Sequence, residues 1–122
     1  MCGIAGVVAL DGRDYSAQID AMNADVERRG PDDSGCFRKE NVFLGHRRLA
    51  VIDTSSDGHQ PMTRGRLTLT YNGEIYNYLE LREALRKLGH TFSTKSDSEV
   101  LLASYAEWGP SCVDHFDGMW AF

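Results

Sequence analysis

Cysteine stands directly after the initiator methionine, and a residue as small as Cys2 is the kind whose preceding methionine is commonly trimmed. A mature chain would then begin with an α-amine and a thiol on one residue, two groups that ionise not far above neutral pH. That pairing sets a base beside a nucleophile with no need of a histidine. Cys2 also reads as a small buried residue at the head of a strand, and position alone leaves both readings open. Other patterns are weaker. Asp53-Thr54-Ser55-Ser56-Asp57-Gly58 imitates the start of a calcium loop, but the twelfth place, which must supply a bidentate glutamate, is Arg64. His46, His59, His90 and His115 lie far apart, and Cys2, Cys36 and Cys112 include no CxxC pair. Neither a metal site nor a disulfide framework is expected. Phosphate-loop, dinucleotide and His-Glu-x-x-His motifs are missing from the sequence.

The elements that must position such groups follow from periodicity. Gly3-Ile4-Ala5-Gly6-Val7-Val8-Ala9, closed by Asp11-Gly12, predicts a buried strand. Ser16 predicts the cap of a helix that carries Ile19, Met22 and Val26 on one face and stops at Gly30-Pro31. Strands are expected around 35–37, 42–44, 49–52 and 67–71. Asn77-Tyr78-Leu79-Glu80 has capping-box spacing, with Leu81, Leu85 and Leu88 repeating behind it and Gly89 as the stop. A short strand and a second box, Ser96-Asp97-Ser98-Glu99, lead into a helix ending at Gly109-Pro110. Asp117-Gly118 turns into an apolar strand in which the chain stops, so a fragment of a longer protein, prone to self-association, is expected. The order is α+β without a repeated βαβ unit. Asn72-Gly73, taken alone, reads as a hairpin turn.

A chain of 122 residues with 42% hydrophobic and 25% charged residues suits one packed domain. Its formal charge of -5, with both signs interspersed, makes nucleic acid and anionic membranes poor partners. No apolar stretch approaches the roughly 20 residues of a membrane span. A secretory leader is not expected either, which predicts a cytoplasmic protein.

Five blocks occur in register: Met1-Cys2-Gly3-Ile4-Ala5-Gly6, Arg29-Gly30-Pro31-Asp32-Asp33-Ser34-Gly35, His46-Arg47-Arg48-Leu49-Ala50-Val51-Ile52-Asp53, Gly58-His59-Gln60-Pro61-Met62 and Tyr71-Asn72-Gly73-Glu74-Ile75-Tyr76-Asn77. Ser96-Asp97-Ser98-Glu99-Val100 and Gly118-Met119-Trp120-Ala121-Phe122 continue them. Together they resemble the N-terminal glutaminase domain, a class II glutamine amidotransferase, of the glutamine-hydrolysing asparagine synthetase family. Other class II amidotransferases share the leading cysteine and an Asn-Gly pair but differ where Arg29-Gly30-Pro31-Asp32 and Arg47-Arg48-Leu49 stand here. Arg28 departs from the family pattern, which often has histidine, and is left outside the expected site.

The resemblance implies an N-terminal nucleophile hydrolase fold, an α-β-β-α sandwich of antiparallel sheets, truncated over residues 1–122. It implies glutamine as substrate and Cys2 as nucleophile, with Asn72 and Gly73 as oxyanion donors. Gly73 is expected because a Cβ would obstruct the oxyanion. Arg48 is expected to bind the substrate carboxylate, and Asp97 with Glu74 the α-ammonium; Arg47, on the opposite face, is expected to be a solvated neighbour. No cofactor or metal is implied within this domain; ATP and magnesium belong to a downstream synthetase domain that amidates aspartate to asparagine. That domain is the implied partner, and a homodimer is compatible with the resemblance. Two alternatives stand beside it: an amidotransferase for another acceptor, and a non-catalytic docking or regulatory module, which a retained Met1 would favour.

Overall fold

The computed structural model describes every residue except Asp53. Asp53, the last residue of the His46–Asp53 block and the first of the calcium-loop imitation, therefore lies outside the described residues. β1 (Gly3–Val8), β2 (Asp33–Lys39) and β3 (Val42–Arg48) form an antiparallel sheet in the order β1-β3-β2. The register pairs Gly3 with Arg47 and Gly35 with His46. α1 (Ser16–Asp25) lies on one face of it, burying Ile19 with Ala5, Ala9 and Phe43. β4 (Met62–Arg64) pairs with β5 (Leu67–Leu69), and β6 (Asn72–Ile75) with β7 (Gly118–Ala121), both antiparallel. The larger core joins Leu69, Tyr71 and Ile75 to α2 (Tyr78–Lys87) and α3 (Asp97–Trp108) through Leu81, Leu85 and Val100 to Ala103. Full burial of a side chain such as Leu85 contributes about 1.5–3 kcal/mol.

The α+β class and its antiparallel sheets agree with the sequence, and several expected details do not. α1 starts after Tyr15 rather than with Ser16 as cap, because the Asp14 carboxylate already accepts from the Ser16 N–H (2.9 Å) and hydroxyl (2.6 Å). The helix stops at Asp25, and a 3-10 turn over Glu27–Arg29 precedes Gly30. Met22 is 41% exposed; Asn23 takes the inward place and donates to Ser34 Oγ and the Gly35 carbonyl. Leu88 is also exposed and follows the end of α2, where Gly89 N–H donates to the Arg86 carbonyl and His90 N–H to that of Leu85, a Schellman closure at positive φ. Asn77 stands at the N-cap position of α2 as expected, but its side chain makes no cap bond and ties His115 and Asp117 instead.

Three expected strands are shortened or absent where side chains take their backbone groups. β3 runs to Arg48 and ends, because the Leu49 N–H turns to Cys2 Sγ and the Ala50 N–H to Asp32 Oδ2. The expected strand at 67–71 ends with β5 at Leu69 and β6 begins only at Asn72, since the Tyr71 N–H donates to Gln60 Oε1 at 2.7 Å. No strand forms between α2 and α3, where Glu99 and Arg82 hold the backbone of residues 93–96. Asn72-Gly73 lies within β6 and makes no turn.

Candidate active site

Cys2 sits just ahead of β1 and is fixed from two sides. Its thiol faces the Leu49 backbone, accepting from the N–H at 3.3 Å and approaching the carbonyl at 3.6 Å. Its own carbonyl accepts from Arg29 Nε at 3.1 Å. Gly3 and Gly30 make the approach feasible: a Cβ on the first would run into Val26, and on the second into the Arg47 backbone. Met1 is exposed and stands at the pocket wall beside Cys2. Arg29 belongs to a quoted block, yet its grip on Cys2 was not foreseen. Arg28 is exposed and lines no part of the pocket.

Around Cys2 opens a pocket of about 160 Å³. Arg48, Asn72, Gly73, Glu74 and Asp97 all line it with Cys2, so the six expected residues are brought together from β1's entry, β3, β6 and the start of α3. Arg48 is buried, donates from Nη1 to the Ser55 carbonyl at 2.6 Å and lies flush against Gly58. Any Cβ at Gly58 would overlap its guanidinium. Arg47 does point to the other face, but it is no solvated neighbour. It reaches the Asn23 carbonyl (3.1 Å) and Glu27 (3.3 Å) on the α1 side of the sheet.

Asp97 is buried at the first turn of α3, where Ser96 supplies the cap by accepting from the Ser98 N–H. Its Oδ2 accepts from the Tyr71 hydroxyl at 2.9 Å and from the Ile75 N–H at 3.2 Å. Burial pushes its carboxyl above the usual carboxylate range, against the pull of those donors. Glu74 is exposed at the pocket edge. Asn72 Oδ1 is buried without a partner, an unspent polar atom at the pocket. Glycine at 73 also has a reason that the sequence did not suggest: a Cβ there would meet the Met119 carbonyl and the Trp120 backbone, so β7 demands the glycine.

Sequence reasoning missed the pieces that align these groups. Gln60 is buried and bridges Tyr71 N–H to Ser98 Oγ (3.1 Å), which explains its place in the Gly58–Met62 block. His46, fully enclosed, has Nε2 3.0 Å from the Tyr71 carbonyl; burial above all lowers its pKa, so it serves as a neutral donor. His59 Nδ1 is 2.6 Å from Asp33 Oδ2 and ties the 56–60 segment to β2. Among the described residues, no group of three or more His, Cys, Asp or Glu could hold a metal ion, and no helix is long and apolar enough to cross a membrane.

A thiol on a pocket wall, a buried arginine and buried and exposed carboxylates suit a zwitterionic amino acid whose side chain points at sulfur. Comparison with known proteins gives the same direction. The family model described as a glutamine amidotransferase domain matches residues 1–122. Asparagine synthetase [glutamine-hydrolyzing] 3 of Bacillus subtilis is 45% identical over 133 residues, covering 100% of this chain and 21% of the relative. A putative asparagine synthetase [glutamine-hydrolyzing] 2 of Methanocaldococcus jannaschii is 40% identical, with 100% and 27% covered. A probable asparagine synthetase [glutamine-hydrolyzing] of Schizosaccharomyces pombe is 43% identical, with 100% and 22% covered. The chain thus spans about a fifth to a quarter of the length of these relatives. Over its whole length it belongs to the glutamine amidotransferase domain family.

Proposed function

We propose that this domain hydrolyses glutamine to glutamate and ammonia with Cys2 as nucleophile, after removal of Met1 has freed the Cys2 α-amine. The convergence of Cys2, Arg48, Asn72 and Asp97 on one pocket carries the reading. Arg48 receives the α-carboxylate and Asp97 with Glu74 the α-ammonium, which leaves the side-chain amide facing sulfur. The Cys2 sulfur attacks the amide carbon while the α-amine, through a water, takes the thiol proton. The Asn72 carboxamide and Gly73 N–H stabilise the oxyanion. Collapse breaks the C–N bond, ammonia leaves with the returned proton, and water then cleaves the thioester to glutamate and free thiol.

The much greater length of the relatives supports a further assignment, delivery of the ammonia to a synthetase domain that amidates aspartate in an ATP-dependent step. ATP and magnesium would be held in that domain. The finer fold assignment, a sandwich of antiparallel sheets between helices as in N-terminal nucleophile hydrolases, and a cytoplasmic location belong to the same proposal. Cys2→Ala in the full-length protein is expected to abolish glutamine-dependent ammonia release while leaving synthesis from added ammonia intact. Undiminished ammonia release by that variant would sink the mechanism.

A further inference from the structure

The backbone entering α3 is held by two buried side chains of opposite charge. Arg82, on α2, donates from Nη1 to the Thr94 carbonyl at 2.5 Å and from Nη2 to the Ser96 carbonyl at 3.0 Å. Glu99 accepts from the N–H of Ser93 (3.0 Å) and of Thr94 (2.7 Å), and from the hydroxyls of Ser93 (3.2 Å) and Thr94 (2.8 Å). Thr94 is therefore gripped at both its N–H and its C=O. Each of the two charged residues is only 7% exposed, and neither lines the pocket. The Phe92 ring packs under the same guanidinium, 5.0 Å from Arg82 Cζ, and gives the fork lateral support.

Burying two charges is costly, and starting a helix does not require it. Ser96 Oγ already satisfies the Ser98 N–H at the beginning of α3. What the brace does fix is the peptide next to Asp97, because the Ser96 carbonyl held by Arg82 immediately precedes that residue. Asp97 must meet the Tyr71 hydroxyl and the Ile75 N–H, both from a different part of the chain, while still facing the pocket. Lysine could not reproduce a fork that spans two carbonyls two residues apart.

We propose that Arg82 and Glu99 are positioning residues that brace the loop before α3 and so aim the Asp97 carboxylate at the substrate's α-ammonium, an inference resting on the glutamine-hydrolysing reading above. They act through Asp97 and touch no reacting atom. Their loss weakens recognition of the amino group and leaves the thiol's reactivity alone.

The test measures Cys2 labelling rates in the full-length protein with two probes: the diazoketone analogue of L-glutamine, and its desamino counterpart, which lacks only the α-ammonium. The unsubstituted protein is expected to react faster with the amino form. Arg82→Met is expected to slow that reaction about tenfold, the scale of one misplaced charge-assisted hydrogen bond, with the desamino rate unchanged. Arg82→Lys should fall between. Equal slowing with both probes, or no change with either, would overturn the proposal. Should Arg82→Met fail to fold, Glu99→Gln is read by the same ratio of rates. If the unsubstituted protein is not labelled at Cys2 by the amino form, the glutamine reading itself is overturned and this inference with it.

Discussion

Tyr71→Phe removes one oxygen from the centre of the site and leaves no cavity larger than that atom. The lost hydroxyl donates to Asp97 Oδ2 at 2.9 Å, between residues only 2% and 5% exposed. Burial first, and the Asp97 charge second, drive the phenol's pKa far above its usual value, so it stays a donor throughout the working range of pH. A hydrogen bond to a charged group contributes about 1.5–3 kcal/mol, and Asp97 would keep the Ile75 N–H and the amides of its own helix start. Stability at neutral pH should fall by about that amount. The pH dependence follows from the raised carboxyl pKa. A native group that holds its proton more tightly than the unfolded chain destabilises at neutral pH, and this penalty is relieved as pH falls through the folded pKa. Without the hydroxyl the folded pKa rises further, so the relief begins at higher pH. On the proposed binding mode substrate affinity would run the other way, since Asp97 would need to be ionised to bind the α-ammonium. The acid limb of kcat/KM for glutamine should therefore move to higher pH. Urea unfolding at neutral and mildly acidic pH, with a kcat/KM profile, reads both effects. Unchanged stability, or an acid limb shifted to lower pH, would refute the reasoning.

Gly58→Ala places a methyl group where the Arg48 guanidinium lies; overpacking of about 1–3 kcal/mol should appear mainly as a raised KM for glutamine, measured by steady-state hydrolysis. Asn72→Ala should lower kcat for glutamine about 100- to 1,000-fold with little change in KM, as loss of one oxyanion donor does, and a KM effect alone would assign the side chain to substrate binding instead.

The candidate site was more legible in the sequence than the strands that carry it. Cys2 announces itself by its place in the chain, and the blocks around Arg48, Asn72 and Asp97 carried the resemblance. The repeat of Leu81 and Leu85 on a buried face found α2, and the Ser96-Asp97-Ser98-Glu99 box with the Gly109-Pro110 stop found α3, whose first eight residues are all buried. Periodicity failed where polar side chains spend the backbone's hydrogen bonds. Residues 49–52 are as apolar as a strand, yet Cys2 and Asp32 claim the amides of Leu49 and Ala50. Glu99 has the spacing of a capping box but reaches back to Ser93 and Thr94 rather than to the cap residue, a choice set by the loop's path. The role of Gly73 was hidden for a similar reason: it answers to β7, some 45 residues away in sequence and paired with it only in the fold.

The double hold on Cys2 bears on the order of maturation. Because its sulfur rests against Leu49 and its carbonyl against Arg29, neither hold involves the residue before it. Met1, at 64% exposure, lines the pocket edge beside Cys2 and takes no part in either hold. Cleavage of a single peptide bond would then change the charge state of the nucleophile's amine without rebuilding its surroundings. On the proposed mechanism, processing and folding would thereby be decoupled: the chain would assemble the pocket while the amine is still blocked, and become competent afterwards.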